Sequence, residues 1–210
     1  MKNIAVMFSG GGTDFQALID GEKEGKFDGH IVVAVTGNAK AYGIQRAKAA
    51  GIDCYICRKA DYESVESRDE EVAEIFDRYG VELIVLAGYL GILTAPILDK
   101  YKGRVINIHP ALLPKYGGKG MYGIHVHEAV IAAGEKESGA TVHFVDGGTD
   151  TGPIIMQRAL PVLPSDTPEA LQARILQEIE HKLFPEAVKR LCNDEVVVEN
   201  GKVAFRAVIE

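Results

Sequence analysis

Apolar positions in this chain come first in short unbroken runs and later in alternation. Ile4-Ala5-Val6-Met7-Phe8, His30 to Val35, Cys54-Tyr55-Ile56, Glu82 to Ala87 and Arg104 to Ile108 are dense in aliphatic residues. Runs of that length, apolar on both faces, fit buried parallel strands. Segments with helical spacing lie between them: from Thr13 or Asp14, either able to cap, to about Lys23; from about Tyr42 to Ala50, closed by Gly51; and from about Ser67 to Tyr79, closed by Gly80. Strand and helix in alternation predict right-handed βαβ units and an α/β fold: an open, mostly parallel twisted sheet flanked by helices.

The second half changes period. Ala140 to Val145 and Ile154 to Ala159 read as antiparallel strands, and Thr167-Pro168 opens a long helix to about Leu191. Val196 to Val198 and Val203 to Phe205, joined through Asn200-Gly201, spell a hairpin. Without a repeat or a linker, one domain over residues 1–210 is expected, with a nucleotide-binding-like half (1–108), a catalytic half (109–192) and a C-terminal hairpin (193–210).

Composition narrows the function classes. A net charge of -7 argues against nucleic acid and anionic membrane as partners, and no run approaches a membrane span of about 20 apolar residues. The short, weakly charged N-terminal run does not resemble a signal peptide, so a soluble cytoplasmic protein is expected. Cys54, Cys57 and Cys192 are odd in number. The Cys54/Cys57 pair lies in a strand-like run without a second pair, so it reads as reduced structural cysteine and not as a metal or redox site.

Three constellations carry chemistry. Ser9-Gly10-Gly11-Gly12-Thr13-Asp14 follows the first strand and precedes a helix, the setting in which backbone amides and a helix N-terminus hold phosphate. It matches neither Gly-Lys-Ser/Thr nor G-x-G-x-x-G. Asn107-Ile108-His109-Pro110 ends the fifth strand. Residues two apart share a strand face, so Asn107 and His109 point together, an amide donor beside a group that exchanges protons near neutral pH. The third is Asp146-Gly147-Gly148-Thr149-Asp150-Thr151-Gly152-Pro153; a carboxylate from it would orient His109 and favour the imidazolium, and either aspartate could face inward. His125, His127 and His143 carry a weaker signal, and no carboxylate pattern makes them metal ligands. No nucleophile elbow is present, which favours direct transfer between two bound substrates.

Together these motifs resemble the folate-dependent formyltransferase superfamily, from Ile4 to about Leu191. The most specific stretch is Asn107-Ile108-His109-Pro110-Ala111-Leu112-Leu113-Pro114, supported by Val85 to Tyr89 and Thr141 to Val145. The resemblance implies a Rossmann-like formyltransferase fold, 10-formyltetrahydrofolate as donor co-substrate, glycinamide ribonucleotide as acceptor, and no metal. It implies Asn107, His109 and Asp150 as the catalytic set, with Asp150 keeping His109 cationic. Gly11, Gly12, Thr13 and Asp14 would take the acceptor phosphate; Gln177 and Glu180 would take its sugar and glycinamide part. Leu90, Gly91, Ile92, Leu93, Asn107, Val145 and Asp146 would line the folate site. The partners expected are these small molecules, acting on a monomer or homodimer. Gly91 stands where many relatives have Arg, and the loop from Gly117 to Gly123 is longer than usual, either a lid or a plain surface loop. Sibling enzymes that act on formyl-folate alone or on tRNA fit less well, because they carry a further N-terminal or C-terminal domain. A non-catalytic nucleotide-binding module, using only the glycine loop, would leave His109 without a role.

Overall fold

A computed structural model describes residues 1–206. A seven-stranded sheet forms its centre, in the order β3-β2-β1-β4-β5-β6-β7. The strands are β1 (Lys2–Phe8), β2 (Gly29–Thr36), β3 (Asp53–Ile56), β4 (Leu83–Leu86), β5 (Val105–His109), β6 (Glu137–Phe144) and β7 (Ile154–Pro161). The first five are mutually parallel; β6 runs antiparallel to β5 and to β7. The helices are α1 (Thr13–Lys23), α2 (Gly43–Ala50), α3 (Val65–Arg78), α4 (Ala95–Leu98), α5 (Ile124–Ala132), α6 (Pro168–Ile175) and α7 (His181–Cys192).

Alternate residues of the central strands feed opposite cores. Ile4, Val6 and Phe8 join Leu83, Val85, Ile106 and Ile108 beneath α1, α6 and α7. Ala5 and Met7 join Ile84, Leu86 and Val105 beneath α3 and α4. Burial on both faces explains why these strands read as unbroken apolar runs.

Four expectations change in detail. Neither Thr13 nor Asp14 caps α1; Gly12 does, in the left-handed region at φ 68° and without a side-chain bond. α3 starts earlier than its apolar spacing suggested, because Ser64 and Ser67 form a reciprocal capping box. The helix expected from Thr167 to Leu191 is interrupted by a π-helical turn over Leu176–Glu180, and Pro185 removes an amide donor one turn further on. Helices α4 and α5 lay outside the sequence reading altogether. The hairpin forms as expected: β8 (Val196–Glu199) pairs with β9 (Lys202–Phe205) through Asn200 and Gly201, both at positive φ.

Candidate active site

The sheet order reverses between β1 and β4, the switch point where open α/β sheets bind ligands beyond their strand ends. The loop after β1 and the loop after β4 meet there. The Ser9 amide donates to the Gly88 carbonyl (3.1 Å), and Ser9 Oγ accepts from the Leu90 amide (2.9 Å). Asn38, after β2, donates to the Ser9 carbonyl (3.0 Å). Arg46, on α2, donates through Nε to the Gly11 carbonyl (2.8 Å) and through Nη1 to Gln16 (3.0 Å). The guanidinium thus adds fixed positive charge beside Gly11, Gly12 and Thr13. Sequence reasoning missed Arg46, since nothing in the helix pattern marks it.

Next along the same edge, β5 carries Asn107 and His109. The antiparallel register places Asn107 opposite His143 and His109 opposite Thr141, and Thr141 in turn opposite Gln157. The Asn107 amide donates to His143 Nε2 (3.2 Å), while His143 Nδ1 donates to the Phe144 carbonyl (2.8 Å). Asp150 turns inward at positive φ and sits between the two imidazoles. Its Oδ2 is 3.6 Å from His109 Nδ1, and its Oδ1 is 3.6 Å from His143 Nε2. The Gly118 amide donates to Asp150 Oδ2 (2.9 Å), tying the loop from Gly117 to Gly123 to the cluster. His109 Nε2 donates to the Tyr116 carbonyl (2.7 Å).

A polar lattice beneath holds the Pro110 to Tyr116 segment in place. Thr141 Oγ donates to the Ala111 carbonyl (2.6 Å) and accepts from the Leu113 amide (3.1 Å) and from Gln157 (2.8 Å). Gln157 also donates to the Leu113 carbonyl (3.0 Å). Thr141, His143 and Gln157 therefore shape the site; of their side chains only His143 drew notice in the sequence, as a histidine of weaker signal that fits a satisfied core or a pocket.

Electrostatics corrects one expectation. Burial pushes the His109 pKa below its ordinary value and outweighs Asp150, which pulls upward, so His109 rests as the neutral imidazole and is not kept cationic. Asp150 feels burial as its largest influence, upward, but His143, the Gly118 amide and His109 together hold its carboxyl below the usual carboxylate range. The arrangement is a buried base with an anionic neighbour, able to become cationic when negative charge develops nearby.

The remaining candidates sort by position. Leu90 and Ile92, in the loop after β4, are large, apolar and 63% and 76% exposed; Leu93 is buried and Val145 is half-buried. A Cβ at Gly91 would lie 2.5 Å from the outer end of the Tyr89 ring, so a side chain there requires Tyr89 to shift. Arg68 is buried against Asp69 and donates to the Ile92 carbonyl (2.6 Å), bracing that loop. Asp146 accepts from the Gly148 amide (2.9 Å) and the Thr151 hydroxyl (2.7 Å), so it closes its own turn. Gln177 is exposed on the π turn. Asp14 does not point outward with Thr13; it is buried and meets Glu180. Two surface hollows, one around Lys115 and Glu135 and one around Gln16 and Asp20, contain none of Asn107, His109 and Asp150.

Among the described residues no group of three or more His, Cys, Asp or Glu side chains is placed to hold a metal, and no helix is long and apolar enough to cross a membrane. The three cysteines are free. A glycine loop at a sheet switch point, beside an amide, an imidazole and a carboxylate, fits a group-transfer enzyme of the open α/β class.

Comparison with known proteins gives the class its family. Residues 2–188 match the family described as Formyl transferase, and the chain belongs to that family. It is 40% identical over 196 residues to the chloroplastic phosphoribosylglycinamide formyltransferase of Arabidopsis thaliana, covering 93% of this chain and 67% of that one. It is 38% identical over 183 residues to phosphoribosylglycinamide formyltransferase of Escherichia coli K12, covering 87% and 84%. Against the trifunctional purine biosynthetic protein adenosine-3 of Drosophila melanogaster it is 42% identical but spans 14% of that protein. The crystal structure of glycinamide ribonucleotide transformylase 1 from Symbiobacterium toebii superposes with a TM-score of 0.93 at 40% identity, covering 99% of this chain and 95% of that one.

Proposed function

We propose that this chain transfers the formyl group of 10-formyltetrahydrofolate to the amine of 5-phosphoribosylglycinamide, a step of purine biosynthesis, and that Asn107, His109 and Asp150 carry the transfer. The observation that bears most weight is the cluster itself: Asp150 lies 3.6 Å from each of His109 and His143, with Asn107 bonded to His143 (3.2 Å), at the carboxyl edge beside the glycine loop. The relatives' shared activity supports the choice of substrates.

In this reading the acceptor phosphate lies on the amides of Gly11, Gly12 and Thr13, with Arg46 behind them, and Gln177 and Glu180 reach the sugar and glycinamide part. The exposed apolar side chains of Leu90 and Ile92, with Val145, suit a flat folate ring system; exposed apolar patches of this kind mark binding surfaces. The Asp146 turn borders the same site.

The acceptor amine attacks the formyl carbon, and negative charge gathers on the formyl oxygen. Asn107 has a second amide N–H to donate to that oxygen. His109, neutral at rest, gains proton affinity as the oxyanion forms, because an anion nearby favours the imidazolium. It takes the proton released by the attacking amine, directly or through water, and passes it to the departing folate nitrogen. Asp150 stabilises the transient cation. The chain performs this as a cytoplasmic monomer or homodimer.

The test is a spectroscopic transfer assay with a formyl-folate analogue and glycinamide ribonucleotide. Turnover that requires both substrates is expected; a folded protein without turnover contradicts the proposal.

A further inference from the structure

Glu135 lies outside the catalytic cluster, yet two hydrogen bonds through Tyr116 join it to His109. The end of α5 fixes where Glu135 stands. Gly134, at φ 66°, and Glu135 close that helix in a Schellman motif: the Gly134 amide donates to the Ile131 carbonyl (2.9 Å) and the Glu135 amide to the Val130 carbonyl (3.3 Å). From there Glu135 Oε1 accepts from the Tyr116 hydroxyl (2.9 Å) and from Lys115 Nζ (2.9 Å). The Lys115 side chain is largely exposed, so solvent screens its ion pair and leaves the tyrosine bond as the stronger restraint.

Tyr116 is the joint between the two regions. Its φ of 56° lies in the left-handed region, which an aromatic residue occupies only where its surroundings hold it. The turn brings two backbone groups to the catalytic set. The Tyr116 carbonyl accepts from His109 Nε2 (2.7 Å), and two residues on, the Gly118 amide donates to Asp150 Oδ2 (2.9 Å). Between them space is tight: a Cβ on Gly117 would lie 2.5 Å from Leu113 Cδ2 and 3.3 Å from Asp150 Cβ. A carbonyl only accepts, so Nε2 carries the proton of neutral His109 and Nδ1 keeps its lone pair. Asp150 Oδ2, 3.6 Å from Nδ1, favours the opposite tautomer. The Tyr116 carbonyl is nearer and prevails.

We propose that Glu135 is a positioning residue for the transfer: by holding the Tyr116 hydroxyl it keeps the Tyr116 carbonyl on His109, and so keeps Nδ1 unprotonated at rest and ready to take the amine proton. The inference rests on the reading of His109 as the proton carrier. The proton taken at Nδ1 makes the imidazolium and leaves from the same atom to the folate nitrogen, so the Nε2–H bond is unchanged over the cycle. Without Glu135 the left-handed turn relaxes and the carbonyl draws away from Nε2. The ring proton then moves to Nδ1, on the Asp150 side, and that atom can no longer accept. Glu135 acts only through Tyr116.

The experiment combines ring-nitrogen NMR of neutral His109 with steady-state formyl transfer. It compares the wild type, Glu135→Ala, Glu135→Gln, Tyr116→Phe and the double variant Tyr116→Phe/Glu135→Ala. The Gln amide oxygen still accepts from the tyrosine hydroxyl, so Glu135→Gln should keep the wild-type tautomer and rate. Glu135→Ala and Tyr116→Phe should each shift His109 toward the Nδ1–H tautomer and lower kcat roughly tenfold, with KM for both substrates little changed. The double variant should fall no further than either single one, since both cut the same link. A His109 tautomer unchanged in Glu135→Ala overturns the proposal, whatever happens to the rate. Losses that multiply in the double variant, or a Glu135→Gln loss equal to that of Glu135→Ala, overturn it too. A wild type without transfer removes the reading of His109, while the tautomer in Glu135→Ala separately decides whether Glu135 positions the ring.

Discussion

Two buried clusters of ionisable groups stand along the carboxyl edge of the sheet, and their partners send them in opposite directions. Around His109, unlike groups meet: imidazoles, a carboxylate, the Tyr116 carbonyl and the Gly118 amide. Asp150 is held below the carboxylate range there despite its burial. Around Asp14 and Glu180, burial drives both upward; Asp14 adds to the rise at Glu180, while Glu180 only tempers the rise at Asp14. Burial is common to the two regions. The identity of the neighbours decides whether a carboxylate is kept charged, ready to stabilise a cation, or kept protonated, ready to donate.

The largest expected effect tests the first region. Replacing Asp150 by Asn removes the charge that stabilises the imidazolium, while the amide can still occupy the space. We expect kcat to fall by roughly 10²–10³, equivalent to about 3–4 kcal/mol, with KM for both substrates changed far less. A rise in KM with kcat intact would place Asp150 in binding and not in chemistry.

His127 sharpens the comparison, since it is fully buried on α5 and neither ring nitrogen is bonded to any described residue. Burial foremost, with a smaller push from His109, lowers its pKa from 6.5 to about 4. The folded state therefore prefers the neutral ring. Its stability is intact above pH 6.5 and declines as pH falls toward about 4, by about 3 kcal/mol in all. Urea unfolding of wild type and His127→Leu across that window measures it; the variant should lose less stability on acidification. Parallel pH dependence in the two proteins would show that His127 is not the sensor.

A smaller effect is expected for Thr141→Val, which leaves the Leu113 amide without its acceptor, a cost of about 1–3 kcal/mol in unfolding free energy. Because that segment carries Tyr116 to His109, kcat should fall with it. Stability lost with kcat unchanged would show that the lattice supports the fold alone.

Asp14→Asn is comparable in size to the His127 effect and opposite in sign. A carboxyl raised to about 6 in the fold contributes stability below its unfolded pKa that is lost as pH rises through about 6. Removing the acid should leave the variant relatively more stable on the alkaline side, as thermal unfolding at two pH values reads. Equal shifts at both pH values would contradict this assignment.

The parallel half of the fold was legible because burial on both strand faces leaves unbroken apolar runs that nothing else in a soluble domain requires. Asn107 and His109 were legible for a related reason: residues two apart at a strand end must share a face. The pairings that complete the site were not. Thr141, His143 and Gln157 come to β5 through antiparallel register, and the Tyr116 carbonyl and Gly118 amide are backbone groups with no residue signature. Helix α5 had no start signal, because Gly123 precedes it without a side-chain cap. The π turn hid inside an apolar period that tolerates one extra residue. Asp14 was expected at the phosphate, yet it is buried along with Phe15 and Leu18 in α1, and α7, which packs against α1, follows directly on the π turn that ends at Glu180. The expected cationic His109 failed because burial, invisible in sequence, outweighs a charge 3.6 Å away.

The central claim is that His109 is the proton carrier of a formyl transfer. Steady-state transfer by His109→Ala, measured beside its affinity for glycinamide ribonucleotide, tests it most directly. The account predicts kcat lowered by at least about 10² with acceptor affinity close to wild type. Turnover near the wild-type rate in that variant would contradict it.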